Sequence, residues 1–151
     1  MDSSKLNSWL TLAANIGVLL GLLLLVVEIR QNTAASKAQT AQAIIDSSRD
    51  FLVEIAMDEE FALLRETGHL DTEELSEVDA IRFTAYSRGN WLYFQNVWVQ
   101  WTLGVVDDRI WTTMRKIICE MQSKPGYLKE WEKHRVVMDE GFAEIVDSCA
   151  K

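Results

Sequence analysis

Glu66 and His69 stand three residues apart, and on a helix that spacing projects both side chains from one face, as in bundles that hold iron between carboxylates. A di-iron centre needs a second Glu-x-x-His and further helix-borne glutamates. The only other histidine, His134, follows Glu130 by four residues and Trp131 by three, so the second copy is missing. Gly68 signals a helix end, and Glu66 and His69 are expected to be surface groups at a helix terminus. Cys119 and Cys149 lack CxxC spacing, are too few for a disulfide framework and read as small buried apolar groups. Two unpaired thiols would also fit a reducing compartment. Nucleophile elbows, phosphate loops and HExxH sequences do not occur. The chain therefore reads as non-enzymatic, with no catalytic residue, no cofactor and no metal expected.

The elements that must carry these residues are helices. In 151 residues there is one proline, Pro125, and seven scattered glycines, with no linker, repeat or low-complexity tract to divide the chain. The formal net charge of −8 opposes a phosphate-neutralising surface, which excludes nucleic acid as a partner.

From Trp9 to Val27 the sequence WLTLAANIGVLLGLLLLVV carries no charge, and at a rise of about 1.5 Å per residue it nearly matches a hydrocarbon core of about 30 Å. Trp9 marks one membrane boundary, and Glu28 and Arg30 mark the other. The apolar run exceeds the h-region of a signal peptide, and Glu28, Arg30 and Gln31 separate it from the small Ala34 and Ala35, so retention as an anchor is expected. Lys5 and the amino terminus, offset by Asp2, precede the span, whereas Arg30, Lys37 and Arg49 follow it, which places the soluble part in the cytoplasm. Residues 1–30 are then tail and transmembrane anchor, and 31–151 form the helical domain.

Within the span, Ala13, Gly17 and Gly21 recur at four-residue spacing, a small-residue stripe that lets a second helix approach closely. Ser8, Thr11 and Asn15 form a short polar stripe, and the Asn15 amide in hydrocarbon needs a hydrogen bond from its own or another helix. Beyond Asn15 that face meets Leu19 and Leu22, which opposes a pore. The expected partners are the lipid bilayer and other transmembrane helices, from a host membrane complex or from a second copy.

No breaker occurs before Asp58, and a 3–4 spacing of apolar and small residues continues past the membrane, predicting one helix over about Ser8–Met57. Asp71 and Glu74 form a capping-box pattern after Gly68, predicting a second long helix that ends at Gly104. Its Trp91, Phe94, Trp98 and Trp101 share one face and read as packed core, and further apolar positions such as Val78 and Ile81 make it central. Asp107 or Asp108 caps a third helix, and Pro125 opens a last one, with an interruption expected at Asp139-Glu140-Gly141. The fold class is all-α: one N-terminal transmembrane helix continuing into an antiparallel helical bundle. Arg82, Arg88, Arg109 and Arg115 are expected to pair with carboxylates or stack on indoles.

The run Val27-Glu28-Ile29-Arg30-Gln31-Asn32-Thr33-Ala34-Ala35 resembles the hydrophobic-helix-plus-EIRQNT signature of a widespread group of uncharacterised small bacterial membrane proteins. The aromatic stretch Trp91 to Trp101 and the ending Pro125-Gly126, Trp131, His134-Arg135 and Gly141-Phe142 extend the likeness over most of the chain. Val137-Met138-Asp139-Glu140-Gly141 departs from it, since Ser-Pro-Glu is usual there. The resemblance implies a bacterial inner-membrane location and brings no activity or catalytic residue with it. Two functions follow as expectations: an accessory or scaffold subunit of a larger membrane complex, and, as the alternative, a self-associating homo-oligomer, with a channel as its extension.

Overall fold

The computed structural model describes residues 3–150; Asp2 and the amino terminus, which enter the charge comparison above, lie outside them. Among the described residues the protein is all-helical, with six α-helices, short 3-10 turns and no strand. The chain divides into two compact units at Gln39 and Thr40.

Helix α1 spans Ser3–Met57. In the first unit every described residue is exposed. This is the one helix, among the described residues, long and apolar enough to cross a membrane. Its hydroxyls are satisfied along the helix: Ser8 Oγ donates to the Ser4 carbonyl and Thr11 Oγ1 to the Asn7 carbonyl, each at 3.0 Å.

The second unit holds the end of α1 and the five shorter helices. Asp58 leaves the helical region, and its carboxylate accepts from the Phe61 amide at 2.9 Å, so one residue ends α1 and caps α2, Glu59–Leu70. Glu59 and Glu60 lie in the first turn of α2, where carboxylates favour the helix dipole. Gly68 lies in the last turn of this helix, which ends at Leu70 as the glycine signalled; it is also buried and faces Phe83.

The long central helix begins later than the capping pattern at Asp71 predicted. Asp71 accepts from the Glu73 amide and opens only the 3-10 turn Thr72–Glu74, after which Leu75 is extended. The working cap is Ser76, which accepts from the Asp79 amide at 3.2 Å while donating to the Asp79 carboxylate at 2.7 Å. Helix α3 then runs Glu77–Thr102. It ends at Leu103, and Gly104, at φ 69°, supplies the left-handed turn that other residues resist. Asp107 caps α4, Asp108–Gln122, and Pro125 starts α5, Pro125–His134, as predicted. The interruption falls at Arg135–Asp139, where Asp139 caps α6, Glu140–Asp147, by accepting from the Gly141 and Phe142 amides.

The core of this unit is aromatic. Trp91 and Val97 of α3, Ile118 of α4, Tyr127 and Trp131 of α5, and Phe142 and Val146 of α6 are all buried. Trp91 meets Trp131 with ring centroids 4.8 Å apart, and Trp101 stacks on Trp111 at 5.3 Å. Of the stripe Trp91, Phe94, Trp98 and Trp101, the first two are buried in the core and the last two pack against it half-buried, in keeping with their spacing. The opposite side of α3 is not: Val78 and Ile81 are each 66% exposed, so this helix is less enclosed than its composition predicted.

The two cysteines correct the sequence reading. Cys119 and Cys149 form a disulfide, with Cα atoms 4.8 Å apart, linking α4 to the chain's last helical turn. Spacing along the sequence carried no sign of it, because the fold alone brings them together. The argument for a reducing compartment from unpaired thiols falls with it.

Candidate functional site

The predicted helix-association residues all lie in the first unit on α1. Ala13, Asn15, Gly17 and Gly21 are exposed, and a Cβ added at Gly17 or Gly21 would meet nothing within 4 Å. Trp9, Glu28 and Arg30, the predicted membrane-boundary residues, are exposed as well.

The arginines expected to be structural divide in two. Arg82 pairs with Glu60 and Asp79, and Arg109 with Asp107. These pairs are surface pairs worth little individually. Arg88 and Arg115 are exposed, and no carboxylate pairs with them among the described residues.

The most elaborate site was not foreseen. It is a cavity of about 520 Å³ in the second unit, walled by the end of α1, by α2, α3 and α4, and by Lys124 and Tyr127 at the start of α5. That volume falls in the range of small-molecule sites. Phe51, Phe94, Met114 and Ile117 make much of its wall apolar.

Its polar groups are built in layers. On α3, Tyr86, Asn90 and Tyr93 follow one face at spacings of four and three. Tyr93 donates to the Ile44 carbonyl at 3.1 Å and meets Ser48 Oγ at 2.7 Å, which fixes α1 against α3. Asn90 Nδ2 donates to the Tyr86 carbonyl at 3.1 Å and to the Tyr127 hydroxyl at 3.2 Å. Arg65 of α2 donates through Nε to the Tyr86 hydroxyl at 2.9 Å. Its terminal nitrogens have no hydrogen-bond partner among the described residues, and neither Arg65 nor Lys124 has an ion-pair partner there.

His69 is where the structure departs furthest from expectation. It is not a surface group but only 6% exposed, with its ring 4.6 Å from that of Tyr127 and 5.9 Å from that of Phe83. Glu66, its partner in the Glu-x-x-His spacing, stays exposed, so the two do not converge. Burial, reinforced by the positive charges of Arg65 and Lys124, pushes the imidazole down to about 4, and His69 is neutral at pH 7. Its Nε2 is buried without a hydrogen-bond partner. Burial, together with the neighbouring Tyr86 hydroxyl, raises Tyr127 above the ordinary phenol range, so it too remains protonated.

A second polar cluster lies on α5. Glu130 is almost fully buried and pairs with Lys133, and its Oε2 lies 3.5 Å from His134 Nε2 with no hydrogen bond between them. These partners sit one turn along the same helix, and among the described residues no group of three or more His, Cys, Asp or Glu side chains converges to hold a metal ion.

Sequence reasoning missed the cavity because five helices contribute to it. The available signals were local: Arg65 and His69 at four-residue spacing on α2, and the polar aromatic stripe Tyr86, Asn90, Tyr93 on α3. No family model, no curated protein and no solved structure matches the chain.

Proposed function

We propose that the chain is a non-enzymatic single-pass membrane protein, an accessory or scaffold subunit of a larger membrane complex, in which α1 anchors an antiparallel helical bundle. The observation that carries this reading is the apolar surface of α1. Leu19, Leu20, Leu22, Leu23 and Leu24 are all more than half exposed, which in water would be a large unsatisfied apolar face and in a bilayer is the ordinary state of a spanning helix. The likeness of the Glu28–Thr33 run to that of small bacterial membrane proteins supports the inner membrane as the location.

For the side of the membrane, two arguments oppose each other. Charge balance around the span favours the cytoplasm by only one or two positive charges, whereas a disulfide between Cys119 and Cys149 favours an oxidising compartment. The disulfide is the stronger argument, and the helical domain is assigned to the non-cytoplasmic face.

A second reading, self-association, rests on the open surface at Gly17 and Gly21, where another helix could reach the backbone. Native mass spectrometry of the complex extracted in mild detergent tests both. Comigration with other chains at fixed stoichiometry is expected for an accessory subunit, and Gly17→Leu with Gly21→Leu should release that partner. A single species at a multiple of 17.3 kDa would replace this reading with the homo-oligomer.

A further inference from the structure

The cavity described above has features that its own packing does not explain. On this wall Tyr93 and Ser48 use up their polar atoms in holding α1 against α3. Three groups on the same wall do not. Arg65 keeps its terminal nitrogens free, Lys124 has no carboxylate partner, and the buried His69 Nε2 has nothing to bond. All three line the same cavity, and the positive charges of Arg65 and Lys124 help burial to hold His69 neutral. Glu120 is the only carboxylate among the described lining residues, and it is exposed. The remaining wall is largely apolar and includes the aromatic side chains of Phe51, Tyr86, Phe94 and Tyr127.

A ligand that answers both halves carries one negative charge on a flat apolar body. We propose that this cavity binds a small aromatic carboxylate, its carboxylate facing Arg65 and Lys124 and hydrogen-bonded by His69, its ring packed among the aromatic side chains. A guanidinium with its terminal nitrogens free is suited to bidentate pairing with a carboxylate. A neutral imidazole retains one N–H to donate, so His69 adds a hydrogen bond without needing a proton from solvent. The inference stands apart from the accessory-subunit reading, because every lining residue belongs to the second unit.

The test uses the purified full chain in lipid nanodiscs, with empty nanodiscs as the blank, titrated calorimetrically with naphthoate and with its neutral isostere naphthamide. Saturable one-to-one binding of naphthoate is expected, about tenfold or more tighter than that of naphthamide, the margin of a charge-assisted hydrogen bond. Lys124→Gln, at an exposed position, should weaken naphthoate severalfold and leave naphthamide unchanged. Gly89→Leu is the occupancy control: Gly89 lines the cavity on α3, and an added Cβ meets nothing within 4 Å, so the fold tolerates the side chain while the cavity loses space. It should abolish binding of both probes with the circular dichroism spectrum unchanged. Absence of saturable binding, equal affinity for the two probes, or naphthoate binding that survives Gly89→Leu in a folded chain would each overturn the proposal.

Discussion

Gly126 at the start of α5 abuts Gly68 in the last turn of α2: a Cβ built on Gly126 would lie 1.7 Å from the Gly68 carbonyl oxygen. A Cβ on Gly68 would in turn lie 2.4 Å from Cδ2 of Phe83. Two glycines thus let α2 and α5 meet backbone to backbone while Phe83 closes the third side. This contact holds His69 and Tyr127, each one residue beyond its glycine, against one another at the cavity wall.

The contact leaves no room for a methyl group. Gly126→Ala must separate α2 from α5 and is expected to destabilise the helical domain by about 3 kcal/mol, the upper end of ordinary overpacking. Gly89→Ala is the contrasting control, because its Cβ meets open space on a helix, where alanine is favoured over glycine by about 0.5–1 kcal/mol. Thermal melts of the two variants should move in opposite directions from the wild-type midpoint. A Gly126→Ala midpoint equal to wild type would refute the close approach.

What the sequence revealed and what it hid follow from how far each feature reaches. The cap at Asp107, the proline start of α5 and the aromatic stripe of α3 are set by residues within a turn or two, and all were legible. Gly68 signalled the end of α2, which comes at Leu70, but nothing along the chain shows that the same glycine also serves close packing against Phe83. Asp71 was misread because it does cap, but only a single 3-10 turn before Leu75 turns extended. The cavity depends on α1, α2, α3, α4 and α5 meeting, and the burial of His69 on α2, α3 and α5, which no local spacing encodes.

Burial of neutral His69 makes stability depend on pH. Its folded-state pKa of about 4 lies below the ordinary 6.5, so between these values the unfolded chain binds a proton that the folded chain excludes. Above pH 6.5 neither state is protonated and no penalty exists. As pH falls from 6.5 towards 4 stability is lost, by about 3 kcal/mol at the lower end. Denaturant midpoints at steps from pH 7.5 to 4.5 should fall for the wild-type chain and fall less for His69→Phe, which cannot titrate. Parallel pH profiles for the two would show that His69 is protonated in the folded state.

The disulfide makes a prediction that reaches from stability to location. It closes a loop over a sequence separation of 30 residues and ties α4 to the last helical turn. By loop-closure entropy a crosslink of that length is worth about 3–4 kcal/mol, so Cys119→Ser with Cys149→Ser should melt well below the oxidised wild type, and a reductant should lower the wild-type midpoint but not that of the double variant. The same pair reports the compartment. If the helical domain lies on the oxidising face, trapping free thiols with a maleimide in intact cells and then reducing should leave both cysteines unlabelled in the first step. Labelling of both in the first step would place the domain in the cytoplasm, return the weight to the charge balance of Lys5, Arg30 and Lys37, and mean that in the cell the fold holds without its crosslink.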